Sequence, residues 1–281
     1  MLGPNDLVLC AGTVPRAGFA ELADAAAAGG FRGISVQPHL YERARAEGAS
    51  DAELRRLLDD RGLEIAELDA LLSWLPGAPP PAEGAAGAML RTTAEDFFRI
   101  ADAIGGRSLN VAQLLPGAVD VDVAAEALAD VCDGAARCGL AVSLEFLPWS
   151  GIPDPATALA IVERCGRPNA GLMVDAWHVF RGSGDVEALG LIPGERIVGV
   201  QLDDAPTEAA PVALVETLEA RLVPGEGDID LVALVRALDR IGSTAPIGVE
   251  VYSKALAAEA ATDVARRVGD ATREILRRAR E

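Results

Sequence analysis

Short apolar runs alternate along the chain with longer segments whose apolar residues recur every three or four positions. The runs have the length of β-strands, and the spacing between them is that of amphipathic helices. Regular alternation of the two predicts parallel strands joined by helices. The predicted strands are Leu7–Ala11, Gly33–Gln37, Glu64–Leu71, Ser108–Ala112, Ala141–Phe146, Gly171–Asp175, Ile197–Leu202 and Ile247–Tyr252.

Several of the intervening segments carry recognisable helix ends. The apolar stripe of 121–135 predicts a helix that Gly139 ends. The pair Asp154–Pro155 predicts a capped helix start, and Asp228 is expected to cap the helix that follows 224–230. A last stripe, 256–275, predicts a final helix whose basic end suits the helix dipole.

Eight strand–helix units in a chain of 281 residues match the count and size of a (β/α)8 barrel. We therefore predict an α/β fold with a single TIM-barrel domain over residues 1–281. The alternative is a doubly wound open sheet. Against it stands the absence of a Gly-x-Gly-x-x-Gly motif after the first strand.

Four of the predicted strands end on a polar side chain where an apolar one is expected. Because strand side chains alternate between two faces, these polar groups point away from the apolar face of their strands. If the strands are parallel neighbours, three carboxylates and one amide converge at their carboxyl ends. Burying such a group is costly unless a positive charge sits among it, and a divalent metal is the simplest candidate. The four residues are Glu145, Asp175, Gln201 and Glu250.

Carboxylate and amide oxygens are hard ligands. They suit Mn²⁺, Mg²⁺ or Co²⁺, whereas Zn²⁺ fits less well because it usually takes His or Cys. The sequence thus predicts one divalent metal ion as the cofactor.

Charge and cysteine usage narrow the function classes. The chain holds 25 basic and 43 acidic residues, a net charge of −18, which repels nucleic-acid phosphates and anionic membranes. We expect neither as a partner. The 4 cysteines are scattered without a Cys-x-x-Cys pair, and residues 1–11 lack the features of a signal peptide. Both observations favour a reducing, cytoplasmic location.

Two predicted loops are long. Residues 76–90 follow the third strand, and residues 203–222 follow the seventh. Loops after barrel strands line the mouth of the barrel, and long ones often act as lids. For 76–90 a lid and a passive surface insertion remain equally open.

The ordered motifs resemble the xylose isomerase-like TIM-barrel superfamily. The similarity rests on Glu145, the run Asp175-Ala-Trp-His178, the polar residue Gln201, the run 224–230 and Glu250. This superfamily includes sugar phosphate isomerases/epimerases, ketose 3-epimerases, inosose dehydratases and 3-dehydroshikimate dehydratases. The resemblance implies that Glu145, Asp175, Gln201 and Glu250 hold the metal. It also implies that His178 and Arg221 lie near the substrate, and that homo-oligomers occur.

By this resemblance the protein is a metal-dependent isomerase or epimerase that enolises a ketose or related polyol ketone. Glu145 and Glu250 would move the proton, and His178 is a candidate acid. Because many epimerases have His at the position of Gln201, this residue favours an alternative. That alternative is a dehydratase (a lyase) acting on a cyclic keto-polyol, such as 3-dehydroshikimate or a keto-inositol. A third hypothesis is a non-catalytic sugar-binding barrel or a partner-dependent subunit. Predicted substrate-binding residues are Arg221, Gln37, His39 and Trp177.

Overall fold

Eight parallel strands close into a barrel in the computed structural model, which describes residues 1–77 and 90–281. The strands pair in chain order, and the last pairs with the first. This topology confirms the predicted (β/α)8 barrel and rules out the open sheet. The strands are β1 Leu7–Leu9, β2 Gly33–Val36, β3 Glu64–Leu71, β4 Ser108–Ala112, β5 Ala141–Glu145, β6 Ala170–Asp175, β7 Ile197–Leu202 and β8 Ile247–Val249.

Helices follow the strands and cover the outside of the barrel. Their apolar stripes pack on the sheet, as the helical spacing predicts. In the described ranges they are α1 Phe19–Ala28, α2 Pro38–Ala46, α3 Asp51–Arg61, α4 Ala94–Ile104, α5 Val121–Arg137, α6 Pro155–Cys165, α7 Ala176–Arg181, α8 Ala213–Glu219, α9 Leu231–Arg240 and α10 Ala261–Arg280.

Side-chain hydrogen bonds at two helix starts confirm one predicted N-cap and correct the other. The side chain of Asp154 accepts a hydrogen bond from the Thr157 amide at 2.8 Å and so caps α6, as predicted. Asp228 does not cap α9. That role belongs to Asp230, which directly precedes the helix and accepts from the Ala233 amide at 2.9 Å. The prediction for Asp228 was therefore wrong by two residues.

The final helix also begins later than predicted. Residues Leu256–Ala258 form a separate 3-10 turn, and α10 starts at Ala261. Ala260 has an extended backbone, with φ −68° and ψ 132°, and this breaks the helical path between the two segments. The apolar stripe alone does not reveal such a break. Leu256 is buried in the separate turn, just as it would be in a continuous helix.

The barrel strands bury apolar side chains under the helices and polar side chains in the barrel interior. Leu144, Leu172 and Val200 are buried in the main core. Ser35, Asn110 and Ser143 are buried as well, and Ser143 Oγ donates to Asn110 Oδ1 at 3.1 Å. Polar groups in this interior therefore depend on one another for hydrogen bonds.

Two further sequence expectations concern disulfide bonds and membrane-spanning helices. The 4 cysteines are free, as expected without a disulfide framework. None of the helices in the described ranges is both long and apolar enough to cross a membrane. The predicted loop 76–90 lies almost wholly outside the described residues.

Candidate active site

The four polar residues that end strands lie at one end of the barrel. Asp175 and Gln201 are direct neighbours in the register of β6 and β7, and Glu145 ends β5. Glu250 directly follows β8, and Gln201 pairs with Gly248, two residues before Glu250. All four side chains are buried, with Glu145 the most exposed at 7%. The geometry therefore brings together the residues that sequence reasoning proposed as metal ligands.

The tightest cluster at this end includes a histidine. Potential ligand atoms of Glu145, Asp175 and His178 all lie within 4.8 Å of one another. His178 Nε2 is 3.2 Å from Glu145 Oε1. Asp175 fixes the start of α7, because its Oδ1 accepts from the His178 amide at 3.0 Å. His178 thus lies among the carboxylates, closer to a ligand position than the sequence alone suggested, whereas Glu250 lies outside this tight cluster.

A buried arginine supplies positive charge beside the cluster. Arg221 Nη1 donates to Asp175 Oδ2 at 2.7 Å and to Asp203 Oδ2 at 2.6 Å. Its Nη1 is also 3.8 Å from Glu250 Oε2. The side chain is only 2% exposed. Part of the positive charge that the acidic strand ends require therefore comes from Arg221, which lies in the long loop after β7.

Burial and this arginine move the carboxylate pKa values in opposite directions. Burial by itself would raise the pKa of Asp175, but Arg221 and His178 bring it below its ordinary value. Burial raises the pKa of Glu250 well above its ordinary value, and the charge of Asp69 adds to the rise. Burial likewise raises the pKa of Asp203 despite its contact with Arg221. Asp175 is therefore held ionised, while Glu250 binds its proton more tightly.

Sequence reasoning missed three polar residues on β3 and β4. Asn110 Nδ2 donates to Asp69 Oδ1 at 3.1 Å and to Glu145 Oε2 at 2.8 Å, which ties these two carboxylates together. Gln201 Nε2 donates to Glu67 Oε1 at 3.2 Å. Burial raises the pKa of Asp69 to about 6 and that of Glu67 well above its ordinary value. The available signal was a pair of acidic residues, two positions apart, inside an otherwise apolar strand.

The predicted substrate-binding residues have different surroundings. Gln37 Nε2 donates to the Tyr252 hydroxyl at 3.1 Å, and Gln37 also hydrogen-bonds Asp69, so it faces the site. His39 is exposed in the first turn of α2 and has no hydrogen bond to the site among the described residues. Its role stays a prediction.

Trp177 lies behind the site. Its side chain has no exposed surface, and its Nε1 donates to Glu216 Oε1 at 3.2 Å. Its ring packs 5.4 Å from the ring of His178 and 5.7 Å from the Arg221 guanidinium carbon. Trp177 therefore supports these two side chains, and its contact with substrate stays a prediction.

The donor atoms fit a divalent cation. Among residues 1–77 and 90–281, the buried side-chain atoms without a hydrogen-bond partner include Gln201 Oε1, Glu250 Oε1, His178 Nδ1 and Asp203 Oδ1. Buried polar atoms without partners are rare and call for an explanation, such as a bound ion. Carboxylate and amide oxygens with an adjacent imidazole suit Mn²⁺, Mg²⁺ or Co²⁺, and the histidine makes Zn²⁺ more suitable than the strand ends alone indicated.

Comparison with known structures shows the same fold in several proteins. The structure of the IOLI protein with a bound zinc atom matches with a TM-score of 0.82 at 20% identity, covering 96% of this chain and 98% of that one. L-ribulose 3-epimerase matches with a TM-score of 0.70 at 20% identity, covering 100% of this chain and 96% of that one. At such identities the likeness is one of fold.

Sequence relatives are more informative. The 3-dehydroshikimate dehydratase of Pseudomonas aeruginosa is 29% identical over 257 residues, which cover 88% of this chain and 37% of that enzyme. The inosose isomerase of Bacillus velezensis is 35% identical over 130 residues, which cover 46% of this chain and 45% of that enzyme. Each match thus spans less than half of the relative. The family model for the xylose isomerase-like TIM barrel matches residues 22–272, and the chain belongs to this family.

Proposed function

We propose that the protein is a divalent-metal-dependent isomerase or epimerase that enolises a ketose or related polyol ketone. One observation carries the proposal. Glu145, Asp175 and His178 cluster at the carboxyl ends of the barrel strands, and the unpartnered oxygens of Gln201 and Glu250 are buried at the same end. The enzymes among its relatives support this reaction class.

The metal would be held by the four strand-end residues, with His178 beside them. When bound, the ion supplies Lewis-acid chemistry, which lowers the pKa of the proton next to a substrate carbonyl. The ligands proposed from the sequence are Glu145, Asp175, Gln201 and Glu250. His178 is a further donor that the tight cluster adds.

The chain's own residues would move the proton and orient the substrate. Glu145 and Glu250 lie at the ends of β5 and β8, so they can approach a substrate from different sides, as removal and return of a proton requires. Burial raises the pKa of Glu250 well above its ordinary value, which suits a group that takes up a proton during the reaction. His178 Nε2 lies 3.2 Å from Glu145 Oε1 and would orient that carboxylate. Arg221 and Gln37 would bind polar substrate groups.

A second candidate is a dehydratase acting on a cyclic keto-polyol or keto acid. The observation that favours it is coverage, because the match to a 3-dehydroshikimate dehydratase spans 88% of this chain and the match to an inosose isomerase spans 46%. The amide of Gln201 also favours the dehydratase, because many epimerases have His at this position. In that reaction the same proton is removed, and His178 would protonate the departing hydroxyl.

The test is a substrate panel in deuterated water, followed by NMR. The protein is loaded with Mn²⁺, Co²⁺, Mg²⁺ or Zn²⁺ and given ketoses, a keto-inositol and 3-dehydroshikimate, with chelator-treated protein as the control. Deuterium entry beside the carbonyl without loss of water supports an isomerase or epimerase. Loss of water with an ultraviolet-absorbing product supports the dehydratase. Sugar binding with neither change overturns both and favours a binding protein.

A further inference from the structure

A hydrogen bond inside the barrel fixes which atom Gln201 presents to the site. Its Nε2 donates to Glu67 Oε1 at 3.2 Å. The Glu67 side chain has an acceptor oxygen whether or not it carries a proton, so this contact takes up the NH₂ end of the amide. The carbonyl Oε1 then takes the opposite direction, where it is buried without a partner. An amide oxygen is a metal ligand, whereas an amide NH₂ is not.

Close packing keeps this pair in place. A Cβ at Gly248 would lie 3.3 Å from Gln201 Cγ, and one at Gly199 would lie 3.4 Å from Glu67 Oε2. The two side chains therefore occupy space that these glycines leave free. Gln201 is 1% exposed and Glu67 is 6% exposed.

The bond to Gln201 does not depend on the charge of Glu67. Burial, followed by Asp69 and Glu145, raises the pKa of Glu67 well above its ordinary value, and the charge of Arg107 and the bond from Gln201 oppose this rise only in part. Arg107 is itself fixed, because its Nη1 donates to the Val198 carbonyl at 2.7 Å. A neutral carboxyl group keeps a carbonyl oxygen, which accepts the same hydrogen bond from Gln201.

We infer that Glu67 is a positioning residue for metal binding, which holds the amide of Gln201 so that its oxygen faces the ion. This inference rests on the proposed function. It also gives a physical reason for an amide at this strand end. A carboxyl group in place of Gln201 would face that of Glu67 inside the barrel, where the two cannot both ionise without a large cost.

Metal affinity tests the inference without any substrate. Metal-free protein is titrated with Mn²⁺, and the electron paramagnetic resonance signal of free Mn²⁺ reports how much is bound. Glu67→Leu cannot accept the hydrogen bond, and we expect its Kd for Mn²⁺ to rise about 10- to 100-fold. Glu67→Gln is the matched control. Its amide oxygen still accepts from Gln201, so its Kd should stay within about threefold of wild type.

A double-mutant cycle keeps the test valid if Glu67→Leu does not fold. Gln201→Glu is measured alone and together with Glu67→Gln. Because the second change removes the carboxyl group that would face the new glutamate, we expect it to tighten Mn²⁺ binding about tenfold in the Gln201→Glu background, and much less in wild type. Circular dichroism confirms that each variant is folded.

The outcomes separate this inference from the proposed function. Wild type that binds one Mn²⁺, with weaker binding by Glu67→Leu or the expected coupling in the cycle, supports the inference. Wild type that binds Mn²⁺ while folded Glu67→Leu and both cycle arms show unchanged Kd values overturns the inference and leaves the proposed function standing. Wild type that binds none of the four metals overturns both.

Discussion

Replacing Arg221 by Met removes the buried positive charge that lies among the carboxylates. Two charge-assisted hydrogen bonds disappear, to Asp175 at 2.7 Å and to Asp203 at 2.6 Å. Removing one partner of a buried ion pair costs about 3–5 kcal/mol, because the remaining charges stay buried without compensation. We therefore expect the free energy of unfolding of the metal-free protein to fall by about 4 kcal/mol.

A bound metal should reduce this loss. Without Arg221 the site is more negative, so it should bind a divalent cation more tightly. If Mn²⁺ binding tightens tenfold, saturating Mn²⁺ recovers about 1.4 kcal/mol of the lost stability. The loss in Arg221→Met should therefore be smaller with Mn²⁺ than with chelator.

Urea unfolding followed by circular dichroism, with chelator and with Mn²⁺, measures both quantities. Arg221→Lys keeps the charge but not the planar donor geometry, and it should fall between wild type and Arg221→Met. Arg240→Met is the exposed control. It breaks a 2.8 Å contact with Glu187 and should change stability by less than about 1 kcal/mol. A loss in Arg221→Met no larger than in Arg240→Met, or an equal loss with and without Mn²⁺, would refute this account of the charge balance.

Three further predictions concern other residues of the site. Glu250→Gln should lower turnover at least 100-fold with an unchanged circular dichroism spectrum, since it removes a group that moves a proton; near-normal turnover contradicts that role. In metal-free protein, stability should fall as pH rises from 4 to 7, because the folded-state pKa of Asp69 is about 6 and its ordinary value is 3.8. Asp69 contributes its full stabilisation below its ordinary pKa of 3.8 and loses it as the pH rises above its folded-state pKa of about 6. The free energy of unfolding changes by up to about 3 kcal/mol over this range. Asp69→Asn should flatten the dependence in thermal melts with chelator, and an unchanged slope would rule out this source. Glu216→Ala removes the acceptor for Trp177 Nε1 and for Arg181 Nε, so it should cost about 1–3 kcal/mol and speed proteinase K cleavage between residues 203 and 221. Wild-type cleavage rates there would contradict an anchoring role.

The sequence predicted the barrel and the strand-end residues because both depend on local periodicity. Side chains in a strand alternate with period 2, so the polar position that ends each apolar run can be identified without knowledge of its neighbours. Parallel strands that follow one another in a barrel then bring these positions to one end. Glu145, Asp175, Gln201 and Glu250 follow from this reasoning. Helix ends with a Gly or a Pro were predictable in the same local way.

Glu67 and Asp69 could not be assigned from periodicity, because the register of their strand is irregular. Pairing of β3 shifts against β2 at Ile34–Ser35 and against β4 between Leu68 and Leu71. Such shifts arise from packing between strands and leave no period in the chain. Only the closed barrel shows that both acids point inward.

Arg221 shows most clearly what tertiary structure alone decided. Its resemblance to a family arginine predicted a substrate contact. It did not predict that Nη1 lies between Asp175 and Asp203, with the side chain only 2% exposed. The arginine lies in a loop, 46 residues from Asp175 in the chain. A buried charge is tolerated only where its partners meet it in space, and such meetings are set by the folded path of the loop. The sequence by itself thus determined which strand ends carry polar side chains, whereas the fold decided how their charges are balanced.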